Sequence, residues 1–423
     1  AWCKLNDIYN FIDYRGATPT KITNGIPLVT AKNVKSGYID YTIDDYISEE
    51  EFKERQQRGI SKKGDILFTT EAPLGNAALA DMEKFSAGQR LITFQQYGSK
   101  NELINYVMLM FILSDFFQQQ LYVNKTGSTV AGIKAAILKT LWIPVPPYNE
   151  QLRISNTLKS AINLIDSISK NKEILSTSIS NTKSKILDLA IRGKIVPQDP
   201  NDEPASVLLE RIRAEKEELI KQGKIKRDKK ESVIFKGDDN SYYGIHLPDS
   251  WNWASLREIA LSISDGSHNP PPNNGSGIPL LSAANINDNS ILMNEISRWI
   301  TNEEWKIENQ RTNIEVGDVL LTIVGSIGRS AVVQNNNHFA LQRSVAVIKP
   351  CLINPLYLMH IVQSPQIQKW LTDNSKGTAQ KGIYLNALSL MIIPIPPLAE
   401  QARIVEHIHI AYKHLDLISN ALL

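Results

Sequence analysis

One stretch of this chain occurs twice, and that repetition constrains its fold more than any other feature. Ile143-Pro-Val-Pro-Pro-Tyr-Asn-Glu-Gln-Leu-Arg-Ile154 returns 250 residues later as Ile393-Pro-Ile-Pro-Pro-Leu-Ala-Glu-Gln-Ala-Arg-Ile404. Proline fixes φ and lacks a backbone donor, so Ile-Pro-x-Pro-Pro ends a strand and cannot sit inside a helix. The Glu-Gln that follows suits a first helical turn, where negative charge is favoured. Each copy therefore marks a stop followed by a helix start.

The rest of the chain repeats with the same period. Trp2–Ile8 returns as Trp253–Ile259, Ser48–Arg58 as Thr301–Arg311, and Gly64–Thr69 as Gly317–Thr322. Gln89-Arg90 returns as Gln342-Arg343, and Gly132-Ile133 as Gly382-Ile383. One module has been duplicated. Each copy mixes short β-branched runs (65–69, 318–324, 344–348) with helical ones (103–121, 356–371), which predicts a compact α+β domain.

The boundaries follow from the repeat. Residues 1–147 form a first globular domain and 148–192 a long helix. Residues 193–250 are a linker with a short charged helix, 251–397 a second globular domain, and 398–423 a second, shorter helix. Leu158, Ile165, Ile179 and Ile186 fall on one heptad position, and Ala161, Ile168, Leu175 and Leu189 on the other. Such a seam packs along another helix. The basic run Lys224–Lys230 reads as solvated linker or as a phosphate contact.

Composition excludes more than it selects. The 46 basic and 44 acidic residues leave a net charge of +2, so any phosphate-binding face must come from local clustering. Two cysteines far apart, without metal-ligand spacing, fit a reducing cytoplasm rather than a disulfide or zinc scaffold. No apolar run reaches membrane-spanning length, and the first residues do not resemble a signal peptide. The start at Ala1 rather than Met suggests trimming.

The paired Pro-x-Pro-Pro-x-x-Glu-Gln-x-Arg-Ile motifs with their heptad helices resemble the specificity subunit of Type I restriction–modification systems. So do the central Leu189–Ser206 segment, the Gly-Asp-Ile-Leu-Phe-Thr block and Thr126-Gly-Ser-Thr129. The resemblance covers essentially the whole chain. It implies two target recognition domains on double-stranded DNA, separated by two long antiparallel coiled-coil helices. It also implies that the helices, starting at Glu150, Gln151, Arg153 and at Glu400, Gln401, Arg403, dock two modification subunits. Those partners would hold S-adenosylmethionine and methylate adenine, this chain would bind no cofactor, and restriction subunits could join the same core. The chain departs from the pattern at both ends: nothing before Trp2 matches Leu247–Ser250, and the second helix is short.

No catalytic site emerges beside this reading. Val145-Pro-Pro-Tyr148 and Asn269-Pro-Pro-Pro272 each lack part of the Asn-Pro-Pro-Tyr loop that would hold a flipped base. Glu51-Phe-Lys53 and Glu304-Trp-Lys306 match half of a nuclease motif but lie in charged helical patterns without a Pro-Asp strand. There is no Walker-type glycine loop, and His246, His338 and His360 lack nucleophile or ligand neighbours in sequence.

A reader of DNA needs Arg, Gln, Asn, Ser, Thr and Lys on loops or helix ends. Thr69 and Thr70, with Ser326 and Arg329, open the loops after the Gly-Asp blocks. Gln89-Arg90 and Gln342-Arg343 pair an amide with a guanidinium, and a pair shared by both copies suits fold or phosphate positioning better than base choice. Lys125, Thr126, Ser128 and Thr129, with Lys376, Thr378 and Lys381, supply hydroxyls and cations for phosphate. Arg15 and His268-Asn269 lie where the copies diverge, as residues that choose different bases should. The competing expectation is a protein–protein scaffold, or a silencing subunit that assembles without productive recognition.

Overall fold

The computed structural model describes every residue except 17, 43, 98–102, 128–130, 228–241, 378–380 and 423. The chain divides into two compact units, 1–170 and 171–423.

In the first unit the Gly64-Asp65 block starts the central strand of a four-stranded antiparallel sheet. Ile66–Thr70 lies between Leu91–Gln96 and Leu74–Leu79, and Tyr9–Asp13 closes the edge beside Leu91–Gln96. All five residues of the central strand are buried, because both faces of the sheet are covered. Ile66 and Phe68 face a helical layer, where Phe94, Met108, Leu109, Ile112 and Phe117 complete one cluster. Leu67 points the other way, into a second cluster with Ile12, Val29, Val34 and Phe85. A smaller sheet, Tyr46–Ile47, Ile26–Val29 and Ser86–Ala87, lies beyond it.

The second unit repeats the plan. Its sheet runs Ala260–Asp265, Val345–Pro350, Val319–Thr322, Ser330–Val332, with a small sheet of Trp299–Ile300, Ile278–Leu281 and Ala340–Leu341. The helical runs expected at 103–121 and 356–371 are each broken into two helices, Asn105–Ile112 and Asp115–Val123, then Pro355–Val362 and Pro365–Asp373. The breaks fall at Ser114 and Ser364, whose hydroxyls donate to the carbonyls of Phe111 and Ile361 (both 2.6 Å) and so close the preceding helix.

Both proline junctions fold the same way. Trp142–Pro144 pairs antiparallel with Trp2–Lys4, and Ile392–Ile395 with Asn252–Ser255. Helices Tyr148–Ile191 and Leu398–Asn420 follow. The Gln151 amide, fully buried, accepts from the Ile104 backbone N–H (2.8 Å) and donates to the Pro146 carbonyl (2.9 Å). Gln401 does the same with Asn354 (2.9 Å) and Pro396 (3.1 Å). This clamp corrects the expectation that Gln151 and Gln401 dock a partner: neither side chain reaches the surface.

The segment read as a linker is part of the second unit's core. Helix Ala205–Lys221 buries Leu208, Leu209 and Ile212 with Ile191, Trp251, Leu256 and Ile259. Lys216 Nζ donates to the carbonyls of Arg257 (2.7 Å) and Ala260 (2.9 Å), capping the short helix Leu256–Ile259. Trp251 Nε1 and Gln198 Nε2 donate to the buried Glu400 carboxylate, whose pKa is pushed up by that burial, and Arg403 pairs with Asp202. Glu400 is therefore also withdrawn from any docking role. Glu150 and Arg153 in the first copy are exposed and have no side-chain partner among the described residues.

Within the second unit the closing helix packs along the end of the long one, in opposite order. Tyr412 and Asp416 meet Lys183, whereas Glu400 and Arg403 meet residues 198 and 202. Ile179 is buried on the expected seam, and Ile404 and Ile408 of the closing helix are buried too, but Ile165, Ile168 and Leu175 are exposed.

Replacing Gln401 with Leu would strand the Asn354 N–H and the Pro396 carbonyl. We expect a loss of about 2–4 kcal/mol in urea denaturation of the second unit, partly restored in Gln401→Glu. A loss within ±0.5 kcal/mol would show that the clamp is not structural.

Candidate functional site

Residues distant in sequence meet in one cleft per copy. In the first, Arg15, Glu71, Gln89, Arg90, Thr126 and Lys134 line a cleft of about 450 Å³. In the second, Asp265, His268, Arg311, Arg343, Lys376 and Tyr384 line one of about 550 Å³. They occupy the same place in the repeat. Gly132 bridges Glu71 and Thr126 as Gly382 bridges Val324 and Lys376. Ile133 N–H donates to the Thr70 carbonyl (3.0 Å), and Ile383 N–H to that of Ile323 (2.9 Å).

An aspartate at the end of the edge strand holds an arginine in each cleft, but the arginines come from different elements. Asp13 takes Arg15, two residues on, with Nη2 at 2.6 Å from Oδ2 and Nε at 3.0 Å. Burial would push the Asp13 carboxyl up, yet the hydrogen bonds from Arg15 outweigh it and hold it below its usual range. Asp265 instead takes Arg311, from the end of helix Asn302–Thr312, and also His268 Nε2 at 2.8 Å. Arg58, the repeat partner of Arg311, donates to the Arg15 carbonyl (2.9 Å). Both arrangements keep a guanidinium half-exposed in the cleft with its rotamer fixed.

The sequence-predicted contacts divide into four groups. Arg15, Arg90, Gln89 and Thr126 share the first cleft, and His268, Arg343 and Lys376 the second. Lys125, Asn269, Ser326 and Lys381 are exposed near these loops, Lys125 lying over the Tyr122 ring, and Gln342 is half-buried. Ser128, Thr129 and Thr378 lie outside the described residues. Two expectations are corrected. Thr69 and Thr70 are buried, their hydroxyls held by Asn76 and Arg90 backbone atoms, because the central strand is covered on both faces. Arg329 is turned inward and donates to the Ala283 carbonyl (3.0 Å), as its counterpart Asn76 donates to Val34 (3.0 Å), so both brace a loop of the small sheet.

Sequence reasoning missed Asp13, Glu71, Lys134, Asp265, Arg311 and Tyr384. The repeat did mark Arg311, as the partner of Arg58, but its charged helix concealed that the side chain leaves the helix toward Asp265. The motifs set aside as catalytic have structural roles. Glu304 closes a capping box with Thr301, and Glu51 accepts from the Thr20 N–H. His338 stacks on Trp305, and burial drives the His360 pKa down to about 4. No group of three His, Cys, Asp or Glu side chains that could hold a metal occurs among the described residues.

A family profile described as "Type I restriction modification DNA specificity domain" matches residues 3–176 and 248–422. The chain is 23% identical, over 99% of its length and 81% of the relative's, to the Type I restriction enzyme EcoBI specificity subunit of Escherichia coli. It is 34% identical to the EcoAI specificity subunit of Escherichia coli over 54% of this chain and 38% of that one. Among solved structures, a chain from a study of assembly and conformational transition of the type I R-M system aligns over all of this chain and 92% of that one. The TM-score is 0.61 and the identity 17%. The HsdS subunit from Thermoanaerobacter tengcongensis aligns over 100% and 91% with TM-score 0.53 and 16% identity. At these identities the likeness is one of fold.

The clefts differ most in how their shared arginine is paired. Arg90 Nε lies 3.1 Å from the Glu71 carboxylate, whereas Val324 replaces Glu71 and Arg343 has no side-chain partner among the described residues. Phenylglyoxal should therefore modify Arg343 faster than Arg90, as read by peptide mass spectrometry, and Glu71→Ala should bring Arg90 to the faster rate. Equal rates in the unmodified protein would contradict this pairing.

Proposed function

This chain belongs to the Type I restriction–modification DNA specificity family, and from that premise we propose that each cleft reads one half of a bipartite, asymmetric DNA target. The observation that carries the reading is the pair of equivalent clefts with a common arginine, Arg90 or Arg343, and different walls. A common arginine suits a backbone phosphate or a guanine in either half-site, while differing walls suit different bases.

The long helix supports a fixed separation between half-sites, as a rod of 44 residues, on the order of 66 Å, should resist bending far better than a linker. Exposed Glu150, Arg153, Ile165 and Ile168 are available to modification subunits, for which we propose a stoichiometry of two per chain. Those partners would supply S-adenosylmethionine and the methyl transfer, and restriction subunits the cleavage. This chain would position DNA in the cytoplasm and do no chemistry itself.

The test is to co-express the chain with its neighbouring modification subunit and sequence the DNA selected from a random pool. Two different half-sites at one separation are expected, and exchanging the second globular domain should change one half only. A stable complex that enriches nothing would overturn the reading. Affinity should fall steeply with salt, and Arg343→Ala with Lys376→Ala should each lower the slope of log K against log salt by about 1. Adding one heptad to the long helix displaces its end by about 10 Å, so the preferred spacer should change by about three base pairs.

A further inference from the structure

We infer that Glu71 and Lys134 in the first cleft, and Val324 and Tyr384 at the same places in the second, determine which base each domain prefers. The inference rests on reading the clefts as base-recognition sites.

Position 71 or 324 lies opposite the bridging glycine, Gly132 or Gly382, and position 134 or 384 is two residues beyond it. Each side chain of the second pair leads a short helix, Ala135–Leu138 or Leu385–Leu388. The backbone frame around these four positions is therefore constant, with the same bridge and the same Ile N–H bond behind it. The side chains are not. One wall carries a carboxylate and an exposed ammonium, the other a half-buried isopropyl group and a tyrosine 70% exposed.

The two walls favour different base edges. Glu71 accepts hydrogen bonds, which suits the exocyclic amine of cytosine or adenine and repels the O6 and N7 acceptors of guanine. It also occupies Arg90, which is then less free to take guanine. Val324 neither accepts nor pairs, so Arg343 is free for a bidentate guanine contact. Val324 and the exposed Tyr384 ring offer an apolar surface to a neighbouring thymine methyl. The first domain should thus prefer an amine-bearing base where the second prefers guanine beside thymine.

The test is the double exchange E71V/K134Y in the complex with the modification subunit, with selection from a random pool. Both chains should show the same second half-site. The first half-site of the variant should shift toward guanine or thymine in at least one position, with relative enrichment changed about tenfold or more. An unchanged first half-site overturns this inference and leaves the bipartite reading intact. If the unmodified complex selects no bipartite site, the reading fails and this inference with it. Should the double variant not fold, as judged by its thermal transition, E71Q keeps the shape and removes the charge. It should relax discrimination against guanine at that position, and unaltered discrimination counts against the inference.

Discussion

A buried glutamine amide joins each helix to its globular domain. Gln151 and Gln401 each reach past the proline stop, one end of the amide taking a helix-start N–H and the other giving to a proline carbonyl. Prolines cannot donate, so the junction would otherwise leave backbone groups unpaired inside the fold. Because a buried amide with two partners tolerates little misplacement, the helix cannot rotate about its first turn without breaking both bonds. The same device stands at the root of the helix in both copies.

The two copies nevertheless differ in how their cores are completed. In the second, residues 187–251 contribute Leu187, Ile191, Leu208, Ile212 and Trp251 to the main cluster, and Lys216 caps the short helix there. In the first, the main cluster is built without any such segment, and Trp2 and Trp142 are about half exposed. Duplicating a sequence therefore does not duplicate an environment. Glu150 and Glu400 show it most directly: aligned in the repeat, the first is a surface carboxylate and the second is buried against Trp251 and Gln198.

That contrast explains what the sequence made legible. Period, module number, the proline junctions and the long helix depend on local chemistry and on repetition, and both are visible in a single chain. The central strand was located by its Gly-Asp start. Its burial on both faces was not, because a run such as Ile66–Thr70 looks alike whether one face or two is covered. Thr69 and Thr70 therefore read as surface hydroxyls in sequence and are buried in the fold. The cleft was half legible: the Gln-Arg pair and Arg15 stood out, but Asp265 and Arg311 are 46 residues apart and become neighbours only through the pairing of strand and helix. A single carboxylate in a loop, such as Glu71, carries no signal until its distance from Arg90 is known.

What a duplicated reader must solve is how to change its preference without changing its frame. A residue common to both clefts, such as Arg90 or Arg343, offers the same chemistry in each. Residues that brace the sheet, such as Arg329 and Asn76, cannot change freely without loosening the loop they hold. The remaining freedom lies in side chains that face the cleft from a backbone pinned by other bonds. Positions 71, 134, 324 and 384 satisfy that condition, because the bridge at Gly132 or Gly382 is made by main-chain atoms and is indifferent to the side chains beside it. Substituting there alters the donors, acceptors and charge offered to a ligand while the strand, the bridge and the glutamine clamp are left as they are.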